Sequence, residues 1–154
     1  MCIMNEENKN IRSPREIFEL AQTMFLNKDL SSFSDLFASD GILELPFHIQ
    51  KSMRLIQGRE NIRNYLAMMP AALLKPIGYK SMTIHETSNP EIIIAEYDMY
   101  GEVTANNKPF QRRYLQVVEV RNGEIITLRD YWNPIDTFEI LDRLPELCTI
   151  LTQK

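Results

Sequence analysis

The sequence predicts an α+β fold in which N-terminal helices pack on the concave face of a curved, mainly antiparallel sheet. Two observations carry that expectation. Apolar residues recur at helical spacing through the first third of the chain, and the period changes to two after Lys75-Pro76. A length of 154 residues matches one domain, expected over residues 13–154 behind a flexible stretch at 1–12.

Ser13-Pro14-Arg15-Glu16 opens the first helix, with serine at the cap, proline at the first helical position and glutamate three residues after the cap. Ile17, Leu20, Ala21, Met24 and Phe25 form its apolar stripe, which ends at about Leu26. A shorter amphipathic segment places Leu30, Phe33, Leu36 and Phe37 on one side, and Asp40-Gly41 is expected to stop it. Ile42 to Phe47 reads as a strand closed by Pro46. Gly58-Arg59-Glu60-Asn61 opens a third helix carrying Ile62, Tyr65, Leu66 and Met69 on one face, and Pro70 terminates it. Four strands follow at about Tyr79–Glu86, Glu91–Val103, Phe110–Val120 and Glu124–Trp132. Asn89-Pro90, Ala105-Asn106-Asn107-Lys108 and Arg121-Asn122-Gly123 supply the turns between them. A last helix is expected from about Pro134 to Leu144, with Ile135, Phe138, Ile140 and Leu141 apolar.

A formal net charge of -4 argues against nucleic acid as a partner, because such binders carry a basic face. No run approaches the roughly 20 apolar residues that span a bilayer, so no membrane partner is expected. The first ten residues show neither a basic n-region nor an apolar h-region, which points to a cytoplasmic protein. Cys2 and Cys148 read as free thiols of a reducing compartment. The sequence has no Gly-rich phosphate loop and no nucleophile elbow, and His48 and His85 lie too far apart for a metal site. Neither metal nor cofactor is expected.

Three segments carry a family resemblance: Leu36-Phe37-Ala38-Ser39-Asp40-Gly41 with Glu44-Leu45-Pro46-Phe47 behind it, Gly58-Arg59-Glu60-Asn61-Ile62, and Val117 to Pro134. Together they resemble the SnoaL-like branch of the nuclear transport factor 2-like superfamily, from about Pro14 to Leu144. The resemblance implies a cone-shaped fold shared by ketosteroid isomerases, limonene epoxide hydrolases, polyketide cyclases and phenazine-biosynthesis proteins. Glu44-Leu45-Pro46 is similar to the strand holding the ketosteroid isomerase base, which puts Leu45 at the base position. Leucine takes no proton, so steroid isomerisation by that route is not expected. The acid that partners the isomerase's oxyanion tyrosine corresponds to about Gln116, and the tyrosine itself to Ala21 or Gln22. Leu128-Arg129-Asp130-Tyr131-Trp132-Asn133 resembles the WRDYFD strand of the epoxide hydrolases. Ala95-Glu96-Tyr97-Asp98 resembles their ERVD pattern, with Glu96 where that pattern has arginine. The phenazine proteins place a glutamate at the position of Asp130, before a segment similar to Tyr131-Trp132-Asn133-Pro134.

Strand alternation sends Leu128, Asp130 and Trp132 to one face, and Glu96, Asp98 and Tyr100 to one face. The family likeness implies that Arg112, Tyr114 and Gln116 point inward beside Asp98 and Tyr100. Carboxylates grouped in an apolar pocket raise one another's pKa, the arrangement general acid–base catalysis uses. Asp130 is therefore expected as the acid or base, with Asp98 as its partner. Tyr114 and Gln116 are expected to orient substrate, with Glu96, Tyr100, Arg112, Trp132 and Leu45 lining the pocket and His48 at its mouth. The competing structural role for Asp130 is an ion pair with Arg112 or Arg129. The expected function is a cofactor-independent isomerase, cyclase or epoxide hydrolase for an apolar oxygenated substrate such as a polyketide or terpenoid. The alternative is a non-catalytic binding domain of the same fold. A homodimer through the sheet face is expected from Ile93, Ala95, Tyr97, Leu115 and Val117 facing outward.

Overall fold

The computed structural model of the chain describes residues 10–69 and 73–153. The expected flexible stretch at 1–12 lies, for residues 1–9, outside the described residues, as does the helix terminator Pro70. The first helix, α1, spans Pro14–Leu26. Ser13 N–H donates to Glu16 Oε2 at 2.8 Å and Glu16 N–H donates to Ser13 Oγ at 3.2 Å, so two otherwise orphaned donors are satisfied. Helix α1 buries Ile17, Phe18, Ala21 and Gln22. Helix α2 (Leu30–Asp35) is capped by Asp29, which accepts from Ser32 N–H at 3.1 Å. Helix α3 (Arg59–Met68) starts at Gly58, whose φ of 93° suits glycine, and buries Ile62 and Leu66.

The strands are β1 (Phe37–Glu44), β2 (Leu55–Gln57), β3 (Leu74–Glu86), β4 (Ile92–Val103), β5 (Pro109–Arg121) and β6 (Glu124–Trp132). They form a six-stranded sheet in the order β2-β1-β6-β5-β4-β3, antiparallel except for the β1–β6 pair. Helix α1 lies across β3, β4 and β5 and α3 packs on β1, which gives the sheet one helix-covered inner face.

Several expected boundaries move. Strand β1 begins at Phe37 rather than Ile42, and Asp40-Gly41 lies inside it at a register shift between Phe37 and Ile42. A Cβ at Gly41 would stand 3.0 Å from the carbonyl oxygens of Ala38 and Ile125, so the residue read as a stop is a close-approach glycine in a bulge. Strand β3 begins at Leu74 and contains Pro76, which an edge strand tolerates because one side of its backbone needs no partner. Strand β2 and a short 3-10 turn at Lys51–Met53 were not expected. The last helix divides into α4 (Pro134–Ile140) and α5 (Leu144–Thr152), with Asp142 at a φ of 55° between them.

The largest correction concerns β4. Its inner face carries Ile93, Ala95, Tyr97 and Met99, at 3%, 0%, 3% and 4% exposure. Glu96, Asp98 and Tyr100 therefore point to the outer face, together with Ile92 and Ile94. The register demands this, since Tyr97 pairs with Tyr114 and Ala95 with Gln116, and directly paired residues share a face. Of the apolar residues expected outside, Leu115 and Val117 are there, while Ile93, Ala95 and Tyr97 are core. Among the described residues no helix is long and apolar enough to cross a membrane.

Candidate active site

A cavity of about 310 Å³ lies between the inner face and the helices. Adjacent strands build its floor: Gln116 on β5 pairs with Asp130 on β6, and Tyr114 pairs with Trp132. Helix α1 adds Gln22, α3 adds Tyr65, β3 adds Tyr79, the segment after β1 adds Leu45 and His48, and α4 adds Thr137. Aromatic packing shapes the wall. The Tyr97 and Tyr114 rings stack at 5.4 Å between centroids, and Tyr79 meets Tyr97 edge-on at 5.2 Å.

Asp130 keeps part of its surface open to this cavity, while its Oδ1 is enclosed and has no hydrogen-bond partner. Burial pushes its pKa up from the usual 3.8 to about 6; a hydrogen bond from Gln116 and the charge of Arg112 oppose the rise. Gln22 Nε2 donates to Gln116 Oε1 at 3.3 Å, which leaves the Gln116 amide N–H as the donor toward Asp130. Gln22 and Gln116 are both buried, at 8% and 7% exposure, so this relay has little competition from water. Burial also raises the pKa of Tyr65, Tyr79, Tyr97 and Tyr114, so all four remain neutral donors at physiological pH.

Arg112 donates from Nε to the Tyr114 hydroxyl oxygen at 2.8 Å, and its terminal nitrogens reach Tyr114 and Thr137 Oγ1. With its oxygen accepting from a cation, the Tyr114 O–H is left to donate to something else. His48 meets Trp132 edge-on at 6.4 Å between ring centroids, and its Nδ1 accepts from Gln50 N–H at 3.1 Å. Burial lowers the His48 pKa, and in the neutral ring the proton then sits on Nε2.

The other expected site residues are elsewhere. Asp98 accepts from Gln111 Nε2 and pairs with Arg113, both at 3.1 Å, on the outer face. Glu96 lies there with His85, Oε2 to Nε2 at 2.8 Å, and Tyr100 lies beneath Lys80 Nζ at 4.5 Å from the ring centroid. Asp130 is consequently the only acid among the described residues that line the cavity. The two-acid arrangement that the epoxide hydrolase likeness implies is not assembled. Sequence reasoning also missed Tyr65, Tyr79 and Tyr97 as lining residues, and weighed Gln22 only as a stand-in for a tyrosine. A glutamine beside Ala21 in an apolar stripe was the available signal for Gln22. Among the described residues no group of three or more His, Cys, Asp or Glu side chains is placed to hold a metal ion.

An antiparallel-rich sheet whose helix-covered face holds a cavity with one enclosed acid defines a class of small α+β domains. Residues 18–128 match the SnoaL-like domain, and the chain belongs to that family. It is 28% identical over 133 residues to the uncharacterized protein YesE of Bacillus subtilis, covering 86% of this chain and 87% of YesE. It is 28% identical over 127 residues to an uncharacterized PhzA/B-like protein of Pseudomonas aeruginosa, covering 82% of this chain and 89% of that protein. A solved Bacillus subtilis structure provisionally described as an isomerase superposes with a TM-score of 0.77 at 26% identity, covering 84% and 93% of the two chains. A Catenulispora acidiphila protein with a ketosteroid isomerase-like fold superposes at 0.67 with 17% identity, covering 85% and 95%, a likeness of fold alone.

Proposed function

We propose that the protein is a cofactor-independent isomerase or cyclase that moves a proton next to a carbonyl group on an apolar, oxygenated small molecule. The observation that carries this reading is Asp130, which lines an aromatic cavity, has an enclosed Oδ1 without a partner, and titrates near 6. As carboxylate, Asp130 takes the proton from the carbon beside the carbonyl, and the electron pair moves onto the carbonyl oxygen. The Tyr114 hydroxyl, polarised by Arg112, is the neutral donor for that oxygen. Protonated Asp130 then returns the proton at a different carbon, which is isomerisation. Alternatively the enolate carbon attacks a second carbonyl of the same molecule, and Asp130 protonates the new alkoxide, which closes a ring. Gln116 and Gln22 position Asp130 and do not exchange protons with substrate. The apolar walls, Leu43, Leu45, Met99 and Leu128 among them, suit a polyketide- or terpenoid-like skeleton.

The test is deuterium wash-in from D₂O at the acidic carbons of a panel of cyclic β-diketones and enones, followed by NMR. The unchanged protein is expected to catalyse exchange into at least one of them, and Asp130→Asn to lower that rate by about 10²–10⁴. Absence of exchange across the panel overturns the catalytic reading in favour of a binding domain. We further propose that two copies pair through the outer sheet face.

A further inference from the structure

One cation in the cavity touches no anion, although Asp130 feels its charge from a distance. Arg112 is half-buried and its hydrogen-bond acceptors are the neutral oxygens of Tyr114 and Thr137. Among the described residues no carboxylate lies within ion-pair distance of it; Arg59, Arg63, Arg113, Arg121 and Arg143 each have one, and Arg12, Arg15, Arg54 and Arg129, which have none either, do not line the cavity. A guanidinium withdrawn from water normally meets an anion, because neutral acceptors recover only part of its hydration. The sign of the cavity points the same way. Among the described residues its lining carries two cations, the exposed Lys28 and the half-buried Arg112, against the single acid Asp130, in a chain of net charge -4.

We propose that the substrate carries a carboxylate that seats on Arg112 while its reacting carbon lies against Asp130. This rests on the acid–base reading above and names the class of substrate for it. The spacing fits such a molecule. Arg112, Tyr114 and Gln116 share one face of β5, and Gln116 pairs with Asp130, so the anchoring and reacting ends are separated by about 13 Å of strand. The Arg112 side chain folds back over the Tyr114 ring, 4.8 Å from its centroid, and its charge acts on Asp130, so the guanidinium lies nearer to Asp130 than the strand separation alone would put it. The guanidinium keeps N–H groups beyond those given to Tyr114 and Thr137, and its planar fork matches a carboxylate. Anchoring at one end holds the carbon to be deprotonated in one pose, and it favours acids over the neutral molecules the apolar walls would also admit.

Calorimetric titration with 2-naphthoate and 2-naphthamide tests this without knowledge of the natural substrate. The two probes share a ring system and differ in charge. The unchanged protein is expected to bind naphthoate at least about ten-fold tighter than naphthamide. Arg112→Gln is expected to reduce that preference to within about two-fold, mainly through loss of naphthoate affinity, with an unchanged circular dichroism spectrum and melting point showing the fold intact; Arg112→Lys retains part of it. Asp130→Asn keeps or strengthens the preference. Equal binding of the two probes, no binding of naphthoate, or a preference that survives Arg112→Gln overturns the inference. The outcomes separate from those of the exchange experiment. A protein that prefers naphthoate yet exchanges no deuterium keeps the anion site and loses the acid–base reading, and the reverse result removes the anion site alone.

Discussion

Asp130 makes a stability prediction that is independent of any substrate. Its carboxyl titrates at about 6 in the fold against 3.8 as an ordinary aspartate. Between those values the folded chain binds more protons than the unfolded one, so stability falls as pH rises from about 4 to about 6 and then levels. The full loss is at most roughly 3 kcal/mol. Asparagine keeps the shape and cannot ionise. Asp130→Asn is therefore expected to melt several degrees higher than the unchanged protein at pH 7–8, with the gain vanishing toward pH 4. An ion-paired structural aspartate behaves oppositely, since its removal strands Arg112, so a lower melting point at pH 7 would assign Asp130 to the arginine. Its place in the cavity was legible through the resemblance of Leu128-Arg129-Asp130-Tyr131-Trp132-Asn133 to the family's last strand, and alternation added only that Leu128 and Trp132 share its face. Gln22, Tyr65 and Tyr79 were not, because they reach the cavity from three other elements and only tertiary packing brings them to it.

The elements differ in how openly they declare themselves. Helix α1 is written in its capping box and stripe, and β6 in its flanking turns, so both keep the expected limits. Strand β4 gives its limits and hides its faces. In Ile92-Ile93-Ile94-Ala95-Glu96-Tyr97-Asp98-Met99 both alternating sets contain apolar residues, and a slip of one residue exchanges inside for outside. The hairpin itself held the answer, since even-numbered residues of β5 face odd-numbered residues of β4, as in the Tyr97–Tyr114 pair. Strand β1 and the first half of β3 were obscured by Asp40-Gly41 and Pro76, which read as breakers but occupy a bulge and an edge strand. The face assignment is directly testable by a pair of variants followed in urea. Asp98→Asn breaks a pair with the exposed Arg113 and is expected to cost under about 1 kcal/mol. Tyr97→Ala empties a core site stacked on Tyr114 and packed against Phe18, and is expected to cost about 3–5 kcal/mol. Comparable costs for the two, or the larger one for Asp98, would return β4 to the opposite register.

At the scale of the whole molecule, the outer sheet face carries an apolar patch that the chain's own helices do not cover. Ile92, Ile94, Leu115, Val117 and Tyr131 stand there partly exposed, with Ile94 paired to Val117 and Leu115 paired to Tyr131 across β4, β5 and β6. Charges of both signs surround them: Glu96, Asp98 and Glu119 against Arg113 and Arg129. An apolar centre with a mixed polar rim is the usual anatomy of an interface. A rim carrying both signs is also self-complementary, because a two-fold axis can lay the acids of one copy over the arginines of the other. Three residues first expected in this patch, Ile93, Ala95 and Tyr97, are core and take no part, yet Ile92, Ile94 and Tyr131 replace them. Sedimentation velocity at micromolar concentration is accordingly expected to give a dimer. Val117→Glu puts a charge into the apolar part of the patch and is expected to yield a monomer with unchanged circular dichroism. Because Val117 faces away from the cavity, the monomer is also expected to keep its naphthoate affinity. A monomeric unchanged protein, or a dimer indifferent to Val117→Glu, removes this face as the contact between copies.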